Sequence, residues 1–179
     1  MEDFAKYILN EDDFISKIEI LYFLAPKLGI NFDKSIVFKT EIARMFIDYY
    51  DIDVDRNLVL TACLLCNCKK IDGPQSLESL YSYAKNGAEF LSTLGFNKRF
   101  CKICEEVNRY SGSHPREPES DILELVDNFG GLLLDRAERF GFSPENAIIQ
   151  METSIFKNKK NQYFEQFKDF VKFMQEVEV

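Results

Sequence analysis

With 179 residues, 46% hydrophobic and 29% charged, the chain has the size of one domain and can bury a core without disulfides or a structural metal. This composition excludes long disordered tracts, and no run reaches the roughly 20 apolar residues that span a bilayer, so no membrane partner is expected. A net charge of −8 excludes a nucleic-acid backbone as the expected partner, and the start MEDFAKY lacks a secretion signal, which makes the cytoplasm the expected location.

The alternating β-branched pattern of strands is nearly absent, and helical punctuation is frequent, so the predicted fold is all-α. Asn10 is predicted to cap a helix with Glu11, Asp12 and Asp13 in its first turn, running to Leu28 and stopping at Gly29, with Pro26 distorting the last turn. Asp33 caps the next, in which Phe38, Ile42, Met45, Phe46 and Tyr49 recur at spacings of three and four and predict one core face. Asp53 begins a helix through Leu58, Val59, Leu60, Ala62, Leu64 and Leu65 that is apolar around its whole girth and therefore central. After the break at Asp72-Gly73-Pro74 come a helix over Leu77 to Ala84 and a further one through Ala88, Phe90 and Leu91 that ends at Gly95.

Asn97 or Lys98 opens a helix carrying Phe100, Ile103 and Val107. The stretch from Ser111 to Glu119 is rich in Gly, Ser, Pro and charge and reads as a loop; its His114 is the only histidine and has no acid or nucleophile nearby, which makes it a surface residue rather than a catalyst. Ser120 and Asp121 start a helix through Ile122, Leu125, Val126 and Phe129, with Gly130-Gly131 where a neighbour can approach closely. Ser143-Pro144 is a cap and first helical position, Lys157, Lys159 and Lys160 mark a solvated turn, and the final helix lines Phe164, Phe167, Phe170, Val171 and Met174 along one side. The 17 Phe and 8 Tyr are expected to fill the core.

Five cysteines are an odd number and argue against a disulfide framework. Cys63, Cys66 and Cys68 with Cys101 and Cys104 can be drawn as a zinc site. Both Cys-x-x-Cys pairs, however, fall inside predicted helices, where that spacing also serves a buried face, and neither has the glycine or proline of a zinc knuckle. Core thiols are the expectation.

Four stretches in order carry a resemblance: "ACLLCNCKK" (62–70) to "AALLHDIGK", "YAKNGAEFLSTLG" (83–95) to "HPEIGAEIL…LG", "ILELVDNFGGLLLDR" (122–136) to "IIAVADVFDALTSDR", and "SPENAIIQM…FEQFKDFVKFM" to a closing pair of helices. They resemble the HD superfamily of metal-dependent phosphohydrolases, and specifically its HD-GYP branch, whose active members cleave cyclic dinucleotides. The resemblance implies a single-domain helical bundle of the HD type over residues 33–179, with residues 1–32 as a helical extension packed on it. It also implies a vestigial pocket. Cys66 and Asn67 replace the paired His-Asp ligands, Tyr83 replaces a histidine, Glu41 stands for the first ligand histidine with Arg44 kept, Glu106 and Val107 fall at a His-His pair, and Asp127 alone is retained.

A two-metal hydrolase needs imidazoles and carboxylates converging on its cations. Here only Glu41 and Asp127 remain as metal candidates, so no cofactor and no catalytic residue are expected. Asp127 is expected to pair with Lys70 or Tyr83 in the vacated pocket. The implied function is a non-catalytic regulatory or signalling domain that binds a nucleotide-type ligand, a protein partner or a second copy of itself. The alternative is a divergent metal-dependent phosphohydrolase acting on cyclic dinucleotides.

Overall fold

The computed structural model describes residues 2–32, 34–70, 76–110, 112–135 and 139–177, and every regular element among them is helical. In chain order these are α1 (Glu2–Asn10), α2 (Phe14–Leu28), α3 (Lys34–Tyr50), α4 (Arg56–Leu65), α5 (Leu77–Thr93), α6 (Lys98–Glu105), α7 (Pro118–Leu133), α8 (Pro144–Gln150) with a π-helical continuation (Met151–Ile155), and α9 (Phe164–Val177). Short polar side chains set most of the starts by accepting the N–H three residues on: Asp13 from Ser16, Asp55 from Leu58, Ser76 from Ser79, Asn97 from Phe100 and Ser143 from Asn146. Gly29, left-handed at φ 63°, closes α2 by donating to the Ala25 carbonyl, and α2 runs through Pro26 to reach it.

The apolar girth of α4 has the predicted consequence. Every residue from Leu58 to Leu65 is buried, and α4 packs on α1, α3, α6 and α7. Aromatic rings from three helices close the core beside it, with Phe167 of α9 edge-on to Phe46 of α3 at 5.1 Å and to Phe129 of α7 at 5.2 Å.

Several predicted boundaries are corrected. Asn10 does not open the second helix; its Nδ2 donates to the Lys6 carbonyl at 2.8 Å and ends α1, and among the neighbouring acids it is Asp13 that reaches an N–H of the next helix. For the same reason Asp55 rather than Asp53 caps α4. The two helices expected between Leu77 and Gly95 are one, α5, which runs through Gly87, where a Cβ would stand 3.3 Å from Cys68 Sγ. Helix α7 starts at Pro118, inside the expected loop and ahead of Ser120, with proline in its first turn. The predicted core face of α3 divides: Ile42 and Phe46 are buried, whereas Phe38, Met45 and Tyr49 are 41%, 37% and 47% exposed. Those three lie along its edge, where the Tyr49 ring leans on Phe173 of α9 at 4.6 Å. The Asp33 cap and the Asp72-Gly73-Pro74 turn lie outside the described residues.

One core feature has no counterpart in the sequence reading. Lys17 of α2 is 1% exposed. Its ammonium donates to Thr61 Oγ1 at 2.6 Å and to Asn57 Oδ1, both on α4, and Asn57 Nδ2 donates in turn to Asp12 Oδ1 at 3.0 Å. Burial lowers the Lys17 pKa from the ordinary 10.5 to about 8, against the attraction of Glu11, Asp12 and Asp55.

Candidate functional site

Helices α3 and α7 pack together, and Gly130 lets the aliphatic stem of Lys39 lie against α7, since a Cβ at that position would collide with Lys39 Cγ. The stem delivers the Lys39 ammonium to Asp127 Oδ1 at 2.8 Å. Asn67, in the turn that follows α4, donates its Nδ2 to the same oxygen at 2.9 Å. Burial opposes a charged Asp127. The Lys39 ammonium, then Lys70, and the two hydrogen bonds override that penalty and hold the carboxyl well below the usual carboxylate range.

Beside this pair opens a cleft of about 390 Å³. Among the described residues Lys39, Lys70 and Arg139 face it with Asp127 as the opposing charge, a surplus of two positive charges in a chain that is otherwise acidic. Tyr83, Val107, Tyr110, Leu132 and Ile155 give it an apolar and aromatic wall. The three cations differ in how far they are already engaged. Arg139 donates to the carbonyls of Gly131 (2.9 Å) and Leu132 (3.0 Å) and stacks over the Phe142 ring at 4.9 Å. Lys39 is paired with Asp127. The Lys70 ammonium stands 5.3 Å from the Tyr83 ring centroid and makes no hydrogen bond or ion pair among the described residues.

The structure gathers some of the sequence-derived site residues and separates others. Asn67 and Asp127 touch, and Lys70, Tyr83 and Asp127 share the cleft. Cys66 is buried behind it, its thiol directed to the Cys63 carbonyl at 3.7 Å and pushed up in pKa by burial and by Asp127. Glu41 and Arg44 occupy other faces of α3, where they pair with each other at 2.5 Å with side chains 39% and 33% exposed. Glu106 is fully buried but fastens α6 to α7, accepting from Ser120 Oγ at 2.6 Å and from the Glu117 N–H at 3.1 Å.

The expected partner of Asp127 is corrected. Lys70 acts on it only through space, and the direct ion pair is made by Lys39, a residue that sequence reasoning passed over. The signal that existed was Gly130, whose missing side chain marks the crossing point. Arg139 and Asn108 were passed over as well, and nothing in their local sequence points to the cleft. His114 is exposed on its loop.

The donor set does not fit the dinuclear metal centre that the resemblance implies. Asp127 Oδ1 is committed to Lys39 and Asn67, Glu41 is elsewhere, and burial holds the Cys66 thiol and the Tyr83 phenol in their neutral forms. Among the described residues no group of three or more His, Cys, Asp or Glu side chains converges in a way that could hold a metal ion. The five cysteines, expected above as core thiols, are free; all but the half-buried Cys101 are buried, and burial pushes Cys68 up to about 12. No family model, curated protein or solved structure matches the chain.

Proposed function

We propose that the chain is a non-catalytic, HD-GYP-like regulatory or signalling domain that works by binding a small phosphorylated, nucleotide-type ligand in the cleft beside Asp127. The observation that carries this reading is the Lys39–Asp127 pair at 2.8 Å. An ammonium neutralises the retained aspartate at the place where a hydrolase of this architecture needs metal cations. A fixed ammonium cannot lower the pKa of a bound water as a metal does. Among the described residues it leaves the charge of Lys70 and Arg139 without a paired carboxylate, and a positive cleft with low-dielectric walls concentrates anions.

Metal content of protein purified without chelator, paired with turnover of a generic phosphodiester, tests the absence of catalysis. The expected result is substoichiometric metal and no metal-dependent turnover, with a rise in melting temperature on adding nucleotides. Stoichiometric metal with metal-dependent turnover would overturn the reading in favour of a divergent phosphohydrolase.

A second reading, a protein partner or a second copy of the chain, draws on the outer face of α2. There Ile15, Tyr22 and Phe23, at helical spacings of seven and eight, are 60%, 72% and 66% exposed. Light scattering on a size-exclusion column tests self-association, which a mass fixed at one chain across concentrations would exclude.

A further inference from the structure

The chemistry of the cleft narrows its ligand further, on the premise that it binds a phosphorylated molecule at all. Charge comes first. Among the described residues two surplus positive charges face the cleft, and a phosphate monoester, with its second pKa near 6, carries about −1.5 to −2 at pH 7. A phosphate diester carries a single charge and would leave one cation uncompensated.

The donors point the same way. The Lys70 ammonium has the Tyr83 ring at 5.3 Å and no hydrogen-bond or ion-pair partner among the described residues. Asn108 lines the cleft beside Tyr83, with its buried side-chain amide directed at the Tyr83 hydroxyl.

The apolar part of the lining suits something flat. Tyr110 lines the cleft yet is 61% exposed, its ring set edge-on to Tyr81 at 4.4 Å and 60°. An aromatic ring braced on one side and open to solvent is a stacking platform for a base, and Val107, Leu132 and Ile155 continue the apolar surface. The volume of about 390 Å³ lies near the lower end of ligand pockets, about 300–1,000 Å³. It has room for one nucleotide.

We infer that the cleft takes a nucleoside monophosphate, its dianionic phosphate held at Lys70 and its base stacked on Tyr110. Calorimetric titration of the full chain with AMP, GMP, CMP and UMP, alongside 3′,5′-cyclic AMP, ribose 5-phosphate and adenosine, tests it. The tightest monophosphate is expected to bind about tenfold or more better than ribose 5-phosphate, the loss of one stacked base. AMP is expected to exceed its cyclic diester, which keeps base and sugar but loses one charge. Tyr110→Ala should bring the monophosphate down to the level of ribose 5-phosphate while leaving ribose 5-phosphate unchanged. Lys70→Ala should weaken both, and Lys70→Arg should restore both.

Both side chains sit at the surface of the cleft, and an unchanged circular dichroism melt checks that the variants are folded. If cyclic AMP matches or exceeds AMP, or ribose 5-phosphate binds as tightly as the monophosphates, the inference fails while anion binding in the cleft stands. If no phosphorylated compound binds in a Lys70-dependent manner, both fail.

Discussion

Glu124 and Asp127 sit one helical turn apart on α7, and their surroundings differ in kind. Glu124 receives a bidentate pair from Arg109 at 2.8 Å to each oxygen, a third guanidinium contact from Arg116 at 3.3 Å and the Asn161 amide at 3.2 Å, with its side chain 4% exposed. Arg109 also reaches the Lys160 carbonyl and Arg116 also binds Asp121. The donors of that network are spent on fixed acceptors belonging to the chain. At Asp127 one oxygen takes one ammonium and one amide, and a further ammonium, Lys70, stands by with no hydrogen-bond or ion-pair partner among the described residues. A buried carboxylate by itself does not mark a binding site. What separates the two is whether the cations around it are already used.

Four substitutions sharpen or break this contrast. Glu124→Ala strands two partly buried guanidiniums and is expected to lower unfolding free energy by about 3–5 kcal/mol in urea titrations. A loss below about 1 kcal/mol would mean that the network does not hold the fold. Lys39→Met leaves Asp127 buried beside an apolar chain and is expected to cost about 3 kcal/mol near neutral pH.

The acid limb tells whether that cost is the ion pair. In the folded chain the Asp127 carboxyl lies below its ordinary 3.8, so the pair stabilises fully above that value and fades as pH falls through the lower folded one. The gap between wild type and Lys39→Met should therefore be constant above about pH 5 and shrink toward pH 2. A gap independent of pH would assign the cost to packing.

Gly130→Ala places a methyl against Lys39 Cγ and is expected to cost about 1–3 kcal/mol from overpacking. An unchanged melt would show that the Lys39 stem moves aside freely. Lys70→Ala has the smallest expected effect on stability, within about 0.5 kcal/mol; a larger loss would place Lys70 with the structural cations, as part of a spent network.

The features legible in the sequence are those that depend on neighbours along the chain. A helix apolar on every side must be central wherever its partners come from, and α4 is. Starts slipped by two or three residues where several acids compete, because the choice between Asp53 and Asp55 turns on which carboxylate reaches a particular N–H. Of the residues the resemblance names, Lys70, Tyr83 and Asp127 line one cleft and Asn67 touches Asp127. Lys39 was not, since its pairing depends on α3 crossing α7 88 residues away in sequence. Glu41 was misplaced for the converse reason: Arg44, three residues on, satisfies it locally.

The buried Lys17 bears on where the chain can be trimmed. With Ala5 and Ile8 also enclosed, the first two helices act as a stopper in the side of α4, and a fragment beginning at residue 33 would open a hole floored by Asn57 and Thr61. The stopper should also respond to alkali in an unusual sense. Between pH 8 and 10.5 the folded chain releases the Lys17 proton before the unfolded chain does, so raising the pH across that window seats it more firmly.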